Sequence, residues 1–176
     1  MHVQGLQNDS SLFRKTMGHF ASGVTIITTV YEGIVRGMTA NAFCSVSLEP
    51  PLVLVAVNNH SHMHTCLAQS GFYGISILAR DQEPLSRHFA GRPQERLDVP
   101  FVWYEGCPLI EGSVAQLTCK VVGAQLAGDH TLYIGQVESL RCSDKRAPLL
   151  FYGGKYQSLE VQISDNSFLY YEPSWW

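Results

Sequence analysis

The sequence predicts a mainly β protein, an antiparallel barrel with short peripheral helices. Apolar segments of strand length are separated by turns rich in glycine or proline, and helical spacing is confined to short stretches. Strands and helices do not alternate along the chain, which argues against a doubly wound parallel sheet. Closing antiparallel strands into a barrel protects their edges. The length of 176 residues fits one domain.

The first half of the chain begins with an amphipathic stretch and continues in strands. Apolar residues at helical spacing predict a helix that ends before Gly23. A run of β-branched residues predicts the first strand, and Glu32-Gly33 predicts a hairpin turn after it. The predicted elements are a helix over 11–21, strands over 24–30, 34–38 and 43–47, and a buried central strand over 52–57.

The second half predicts two further helices and four further strands. Gly71 ends the first of these helices, and a turn at 127–129 joins two long strands. The predicted elements are a helix over 64–70, a strand over 73–78, a charged surface helix over 81–89, an irregular segment over 91–100, and strands over 114–124, 131–140 and 149–152. One domain over 11–160 is expected, with a flexible N-terminus over 1–10 and an aromatic C-terminal tail over 161–176.

Composition indicates which partners the protein binds and in which compartment it is expected. A net charge of -3 argues against nucleic acid, which requires a basic surface. Charged residues make up only 15%, so we expect apolar surface that a second copy of the chain covers. The five cysteines are scattered, without a CxxC pair, as in a protein with reduced thiols. No segment has the length of a membrane span or the features of a signal peptide, so a cytoplasmic protein is expected.

The segment over 37–54, GMTANAFCSVSLEPPLVL, suggests a site for a flat ligand. Thr39, Ala40 and Asn41 are small, and strand-like alternation follows them. Such residues leave the backbone accessible, so peptide N–H groups, hydroxyls and the amide can contact the edge of a planar cofactor such as a flavin. No GxGxxG, GxxxxGK[ST], GxSxG or HExxH motif is present, which argues against a Rossmann dinucleotide site.

Two groups of polar residues have alternative interpretations. Ser61 and Thr65 lie at the start of a predicted helix, where backbone N–H groups favour a phosphate, although hydroxyls at this position are more often only helix caps. His60, His62 and His64 alternate, and on a strand they would share one face that could hold a metal. A polar loop is the simpler interpretation of these histidines, because no carboxylate accompanies them.

His130 and a set of arginines also have two interpretations each. His130 follows a turn and could point into a cleft, but a histidine in a turn is more often structural or solvated. Arg80, Arg87, Arg92 and Arg96 could recognise a phosphate. Acidic residues are interleaved with these arginines, so a solvated, ion-paired surface is favoured.

Four blocks occur in order: FASGVTIITT, GMTANAFCSVSLEPPLVLV, AGDHTLYIGQVE and PLLFYGGKYQSL. Together with LSRHFAG they resemble the short-chain flavin reductases of two-component flavin-dependent monooxygenases, which include the reductase components of phenol hydroxylase and 4-hydroxyphenylacetate hydroxylase. The resemblance covers residues 13–159. It implies a split antiparallel β-barrel of the flavin reductase and FMN-binding type, a homodimer, and NAD(P)H-dependent reduction of FMN or FAD.

The resemblance also implies roles for individual residues. Many relatives carry a serine and a hydroxyl residue where this chain has Ala42 and Cys44, so backbone contacts are expected there. His130 matches the histidine near the nicotinamide. The remaining matches are Thr39, Ala40, Asn41, Ala42, Ser45, Val46 and Ser47 along the isoalloxazine, Ser61 and Thr65 at the flavin phosphate, Phe89, Ala90 and Gly91 beside the cofactor, and Phe151, Tyr152, Lys155 and Tyr156 in the block that closes the site.

The implied function is an NAD(P)H:flavin oxidoreductase that supplies reduced flavin to a separate oxygenase component. Hydride transfer between two cofactors needs no acid–base pair on the protein, which agrees with the lack of one in the motifs. No arginine cluster is placed convincingly for a 2′-phosphate, so NADH is expected rather than NADPH. The alternatives are a reductase that keeps its flavin and serves another acceptor, and a flavin-binding protein without enzymatic activity.

Overall fold

A computed structural model describes residues 9–93, 95–143 and 145–159. Asp9 and Ser10 are the described part of the predicted N-terminal segment over 1–10. The predicted C-terminal tail over 161–176 lies outside the described residues, and the domain is described up to Leu159. The helices are α1 (Ser10–Met17), α2 (His62–Ser70) and α3 (Glu83–Phe89), with a 3-10 turn (Arg80–Gln82) before α3. The strands are β1 (Ser22–Gly23), β2 (Thr25–Tyr31), β3 (Ile34–Ala40), β4 (Phe43–Leu48), β5 (Pro51–Asn58), β6 (Phe72–Ile77), β7 (Phe101–Tyr104), β8 (Cys107–Ile110), β9 (Ala115–Ala127), β10 (His130–Cys142), β11 (Leu149–Tyr152) and β12 (Lys155–Ser158).

One seven-stranded antiparallel sheet forms the body of the protein. Its strand order is β3-β2-β6-β9-β10-β5-β4. The two edge strands β3 and β4 follow each other in the chain, and no ladder joins them within the described ranges, so the barrel wall is split at this point. A second sheet of order β1-β11-β12 and the β7–β8 hairpin lie outside this wall. The prediction of a mainly β, split antiparallel barrel with short helices is confirmed.

The buried apolar residues form two clusters, and α2 closes the one that contains β5. Val53, Val55 and Val57 of β5 are buried, whereas the residues between them are partly exposed. β5 is the second strand from the sheet edge and packs on the core with one face, which explains this alternation. Met63 and Leu67 of α2 join the same cluster. In the described part of the chain, no helix is long and apolar enough to cross a membrane.

The hairpin β7–β8 was not predicted from the sequence. Its turn is formed by Glu105 and Gly106, which both adopt positive φ angles of 50° and 76°. All four residues of β8 are buried, because this strand covers part of the main sheet. The Ile110 N–H donates to the hydroxyl of Ser76 on β6 at 2.9 Å, and the Thr28 hydroxyl on β2 donates to the carbonyl of Pro108. These distant partners hold the hairpin in place.

The buried thiols provide a test of this core. Cys66, Cys107 and Cys119 are buried, whereas Cys44 and Cys142 are exposed. Burial raises the pKa of Cys107 and of Cys119 to about 12, so their nucleophilic thiolates are scarce at neutral pH. We expect a thiol reagent to leave the three buried cysteines unmodified in the folded protein and to modify them in denaturant. Mass spectrometry of peptides from both samples measures this, and rapid native modification of Cys107 or Cys119 would contradict the fold.

Candidate functional site

Three cavities adjoin one another where β3 reaches the split in the barrel. The first has a volume of about 340 Å³, the second about 170 Å³ and the third about 480 Å³. Asn41 lines the first two, and Ala90, Phe151 and Tyr156 line the last two. The three cavities therefore form one groove, which we call the β3 groove. Its further lining residues include Phe20, Ser22 and Phe43 in the first cavity, Thr39 and Ser86 in the second, and Arg87, Arg92 and Lys155 in the third.

The end of β3 forms the floor of this groove and is held from two sides. The Thr25 hydroxyl donates to the carbonyl of Ala40 at 2.7 Å, which fixes β3 against β2. The Thr39 hydroxyl donates to the carbonyl of Ser86 at 2.6 Å, which fixes β3 against α3. These two side chains hold the backbone that continues to Asn41 at the surface of the groove.

The opposite wall comes from α3 and the C-terminal hairpin β11–β12. The hydroxyls of Ser86 and Tyr156 are hydrogen-bonded at 2.8 Å, and the guanidinium of Arg87 lies 4.9 Å from the centre of the Tyr156 ring. The rings of Phe151 and Tyr156 meet edge to face at 5.4 Å. Phe151 pairs with Ser22 of β1, so the hairpin is joined to the start of the barrel. Phe151 and Tyr156 thus form an aromatic wall of the second cavity, tied to α3 through Ser86 and Arg87.

The residues after β3 turn into the edge strand β4. Asn41 and Ala42 are exposed, and the carbonyl of Ala42 accepts a hydrogen bond from the Ala56 N–H at 3.0 Å. The ladder between β4 and β5 shifts register between Ser45 and Ser47, so Val46 occupies a bulge. The split edge of the barrel therefore continues through Ser45, Val46 and Ser47. The β3 groove, in contrast, brings together Thr39, Asn41, Ala90, Lys155 and Tyr156.

The remaining residues of the C-terminal block and of α3 flank the groove. Phe89 covers Gly37, where an added Cβ would lie 2.5 Å from the Phe89 ring, so a side chain larger than glycine has no room there. Gly91 adopts a φ of 81°, which reverses the chain after α3. Tyr152 is exposed and its ring meets that of His19 at 6.2 Å, outside the cavities that Tyr156 lines.

The end of β5 and the start of β10 carry a second set of predicted site residues, Ser61, Thr65 and His130. The Ser61 hydroxyl accepts the His64 N–H at 3.3 Å and therefore caps α2, while Thr65 is exposed one turn on. His130 pairs with Asn58 in the ladder, and its Nδ1 lies 2.7 Å from the carboxylate of Asp129. This hydrogen bond holds the pKa of Asp129 below its usual value.

The residues that follow β3 and the residues around His130 lie at the same end of the sheet but on different strands. Ala42 contacts β5 through Ala56, and His130 contacts β5 through Asn58 on its other side. Two strand spacings separate β4 from β10, which is about 10 Å. The structure therefore brings His130 near the split edge without bringing it into the cavity that Thr39 lines.

The three alternating histidines do not share a face. His60 lies in the turn before α2, and His62 and His64 lie on the helix, where alternate residues diverge. His62 contacts the Cys66 sulfur at 3.1 Å, and the ring nitrogen of His64 lies 2.9 Å from the Tyr133 hydroxyl. Among the described residues, no three histidine, cysteine or acidic side chains could together hold a metal ion.

Sequence reasoning missed three contributors to the groove. Ser86 is buried within a segment predicted as a charged surface helix, and Ser22 and Val24 lie before the segment singled out for a flat ligand. Ser86 and Ser22 belong to the LSRHFAG and FASG motifs, which was the available signal. The hydroxyl oxygen of Ser22 is buried and has no hydrogen-bond partner among the described residues, although its side chain lines the first cavity.

The lining of the groove has the chemistry that a flavin requires. Its floor presents small residues and backbone, its far wall is aromatic, and the unpartnered hydroxyl of Ser22 lies beside the first cavity. A planar ring with polar edges requires this combination of apolar faces and few polar groups. The fold and the groove therefore define a split-barrel protein of the flavin-binding class.

Comparison with known proteins identifies the family. The flavin reductase like domain matches residues 17–160, and the chain belongs to this family. It is 55% identical over 151 residues to an NADH-dependent flavin reductase of a Rhodococcus species, an alignment that covers 84% of this chain and 85% of the relative. It is 37% identical over 147 residues to the reductase component of 4-hydroxyphenylacetate 3-monooxygenase from Thermus thermophilus, with 84% and 95% covered. The solved structure of the flavin reductase PheA2 superposes with a TM-score of 0.84 at 48% identity, over 87% of this chain and 99% of that one.

Proposed function

We propose that the protein is an NADH:flavin oxidoreductase that reduces FAD or FMN and supplies the reduced flavin to a separate monooxygenase component. The single observation that carries this proposal is the β3 groove, in which a small-residue floor faces the aromatic pair Phe151 and Tyr156. Relatives named NADH-dependent flavin reductase and monooxygenase reductase component support both the donor and the type of partner.

In the mechanism, a bound flavin supplies the acceptor for hydride from NADH. The backbone over 39–42 would hold the isoalloxazine edge and provide N–H groups where negative charge develops on reduction. Thr39 positions this backbone through its hydrogen bond to Ser86, and the same serine positions Tyr156. Phe151 and Tyr156 would cover the cofactor on the side of the C-terminal hairpin. The bulge at Val46 leaves the strand between Ser45 and Ser47 free to follow the cofactor.

The N-terminus of α2 is proposed to hold the flavin phosphate. Backbone N–H groups of the first turn point out of the helix, and the helix dipole favours an anion there. Ser61 caps the helix, and Thr65 adds an exposed hydroxyl. Phe89, Ala90 and Gly91 form the border of the site at the end of α3, and Tyr152, Lys155 and Tyr156 form its border on the C-terminal hairpin.

His130 is proposed to orient the nicotinamide or to balance its charge, and not to act as an obligatory base. Replacing it with alanine should raise the KM for NADH about tenfold, because one hydrogen bond to a charged or polar group of the donor is lost. Flavin affinity should change little. Steady-state kinetics and flavin titration measure the two quantities, with Asp129→Asn as a control that keeps the imidazole. A raised KM for flavin in His130→Ala with an unchanged KM for NADH would show that the assignment is wrong.

Two alternatives differ in what happens to the flavin. A reductase with permanently bound flavin would oxidise NADH at a rate independent of added free flavin, and a flavin-binding protein without activity would not oxidise NADH. Steady-state kinetics with FMN or FAD, each paired with NADH or NADPH, separate them. We expect the rate to saturate with added flavin and to be higher with NADH.

We further propose a cytoplasmic homodimer. Large apolar side chains are exposed on strands of the main sheet, and a second copy would cover them. All five cysteines are free, as expected in a reducing compartment. Light scattering should give twice the mass of the chain. The exposed side chains on these strands include Val46, Leu48, Val122, Leu126 and Leu140.

A further inference from the structure

The third cavity of the β3 groove concentrates positive charge in a protein of net charge -3. Arg87, Arg92 and Lys155 line it together with the single carboxylate of Glu83, which leaves an excess of two positive charges. Its volume of about 480 Å³ is larger than that of either neighbouring cavity. A cationic cavity of this size next to an aromatic one is suited to a ligand with an anionic part and a planar part.

The three cations are held in different ways. Arg87 is fixed, since its guanidinium contacts Glu83 at 2.5 Å and lies over the Tyr156 ring. Within the described ranges, no hydrogen bond or ion pair joins the side chain of Arg92 or of Lys155 to another protein group. These two cations are therefore available to a ligand, while Arg87 connects the cavity to the aromatic wall.

Backbone geometry directs Arg92 and Lys155 to the same cavity. The left-handed Gly91 reverses the chain after α3, and the Arg92 N–H donates to the carbonyl of Arg87 at 3.2 Å. Lys155 follows Gly153 and Gly154, which have φ angles of 58° and 78° and form the tight turn of the C-terminal hairpin. Both cations thus lie beside turns that only glycine adopts readily.

We propose that this cavity binds the pyrophosphate of the nicotinamide dinucleotide, with Arg92 and Lys155 as its ligands. The inference rests on the proposed function, since it deepens the donor side of the same site. Pyrophosphate carries the charge that the cavity complements, and the cavity shares Ala90, Phe151 and Tyr156 with the one where the flavin ring is expected. A donor anchored at its pyrophosphate can then extend its nicotinamide along this wall towards the flavin.

The kinetic test compares two donors with FMN as the acceptor, because FMN has no pyrophosphate. NADH carries the group, and N-benzyl dihydronicotinamide lacks it. In Arg92→Glu, the ratio of kcat/KM for NADH to kcat/KM for the truncated donor should fall about tenfold. Arg96→Glu makes the same charge change at an exposed arginine outside the cavity lining, and its ratio should match that of the wild type. An unchanged ratio in Arg92→Glu, or a raised KM for FMN in its place, overturns the assignment.

A binding test is independent of turnover. ADP-ribose contains the pyrophosphate without the nicotinamide, and calorimetry with FMN present should detect its binding to the wild type and to Arg96→Glu. Binding to Arg92→Glu should be about tenfold weaker. Equal binding to both variants, or no binding to the wild type, contradicts the proposal. If ADP-ribose binds as expected but no flavin is reduced, the proposed function fails while the pyrophosphate site stands.

Discussion

Replacing Gly135 with alanine is expected to destabilise the protein by about 3 kcal/mol, the upper end of the usual cost of overpacking. Gly135 lies on β10 directly above Tyr73, and an added Cβ would lie 2.2 Å from the Tyr73 hydroxyl oxygen and 2.7 Å from the ring. Tyr73 is fully buried in the core, so its ring has no free space to move into. Urea unfolding should show a lower midpoint with an unchanged slope.

Two controls distinguish the clash with Tyr73 from the general effect of placing alanine in a strand. Gly123 lies in the same ladder, and a Cβ there would meet Ile134 at an ordinary 3.6 Å, so Gly123→Ala should be nearly neutral. Tyr73→Phe removes a buried hydroxyl that has no partner in the described structure, and it should partly rescue Gly135→Ala. Equal unfolding midpoints for the two alanine variants would refute the packing of Tyr73 against β10.

Replacing Asn41 with tryptophan is expected to reduce kcat/KM for the flavin about hundredfold, which corresponds to about 3 kcal/mol of lost binding. Asn41 lines both the first and the second cavity, so an indole at this position would occupy the space expected for the isoalloxazine. Asn41 is exposed, and the unfolding free energy should therefore change by less than about 0.5 kcal/mol. Flavin fluorescence titration and steady-state kinetics measure the two effects.

Two controls specify what the Asn41 side chain does. Asn41→Ala leaves the groove open and the backbone unchanged, so a backbone-held flavin should bind within about tenfold of wild type. Lys120→Trp introduces the same side chain at an exposed residue of β9, away from the three cavities, and should retain activity. Full activity in Asn41→Trp would mean that the flavin binds elsewhere.

Elements specified by local chemistry were predictable from the sequence. The turn at Glu32-Gly33 has φ angles of 52° and 74°, and these residues are among those that tolerate or favour such values. The helix α2 begins at its Ser61 cap and ends at Gly71 with a φ of 71°. The hairpin β7–β8 was missed because its partners, Thr28 and Ser76, lie far away in the sequence.

The candidate site was predictable where its residues lie in short motifs, and the contacts between those motifs were not. The segment through Thr39 and Asn41 was found because small residues occur together there, and the structure brings both to one groove. Ser86 was missed, since its contacts with Thr39 and Tyr156 span 47 and 70 positions of the chain. Sequence pattern favoured an ion-paired surface for the arginines, and this interpretation holds for Arg87 with Glu83.

Anaerobic mixing of the purified protein with NADH and a large molar excess of free FMN or FAD tests the central claim most directly. The absorbance of oxidised flavin then counts the flavin molecules reduced for each protein chain. We predict that bleaching by the wild type continues through many turnovers until the free flavin or the NADH is consumed, and that Asn41→Trp bleaches the flavin far more slowly. Bleaching that stops at one flavin for each chain, or no bleaching, would contradict the assignment of this protein as a reductase of free flavin.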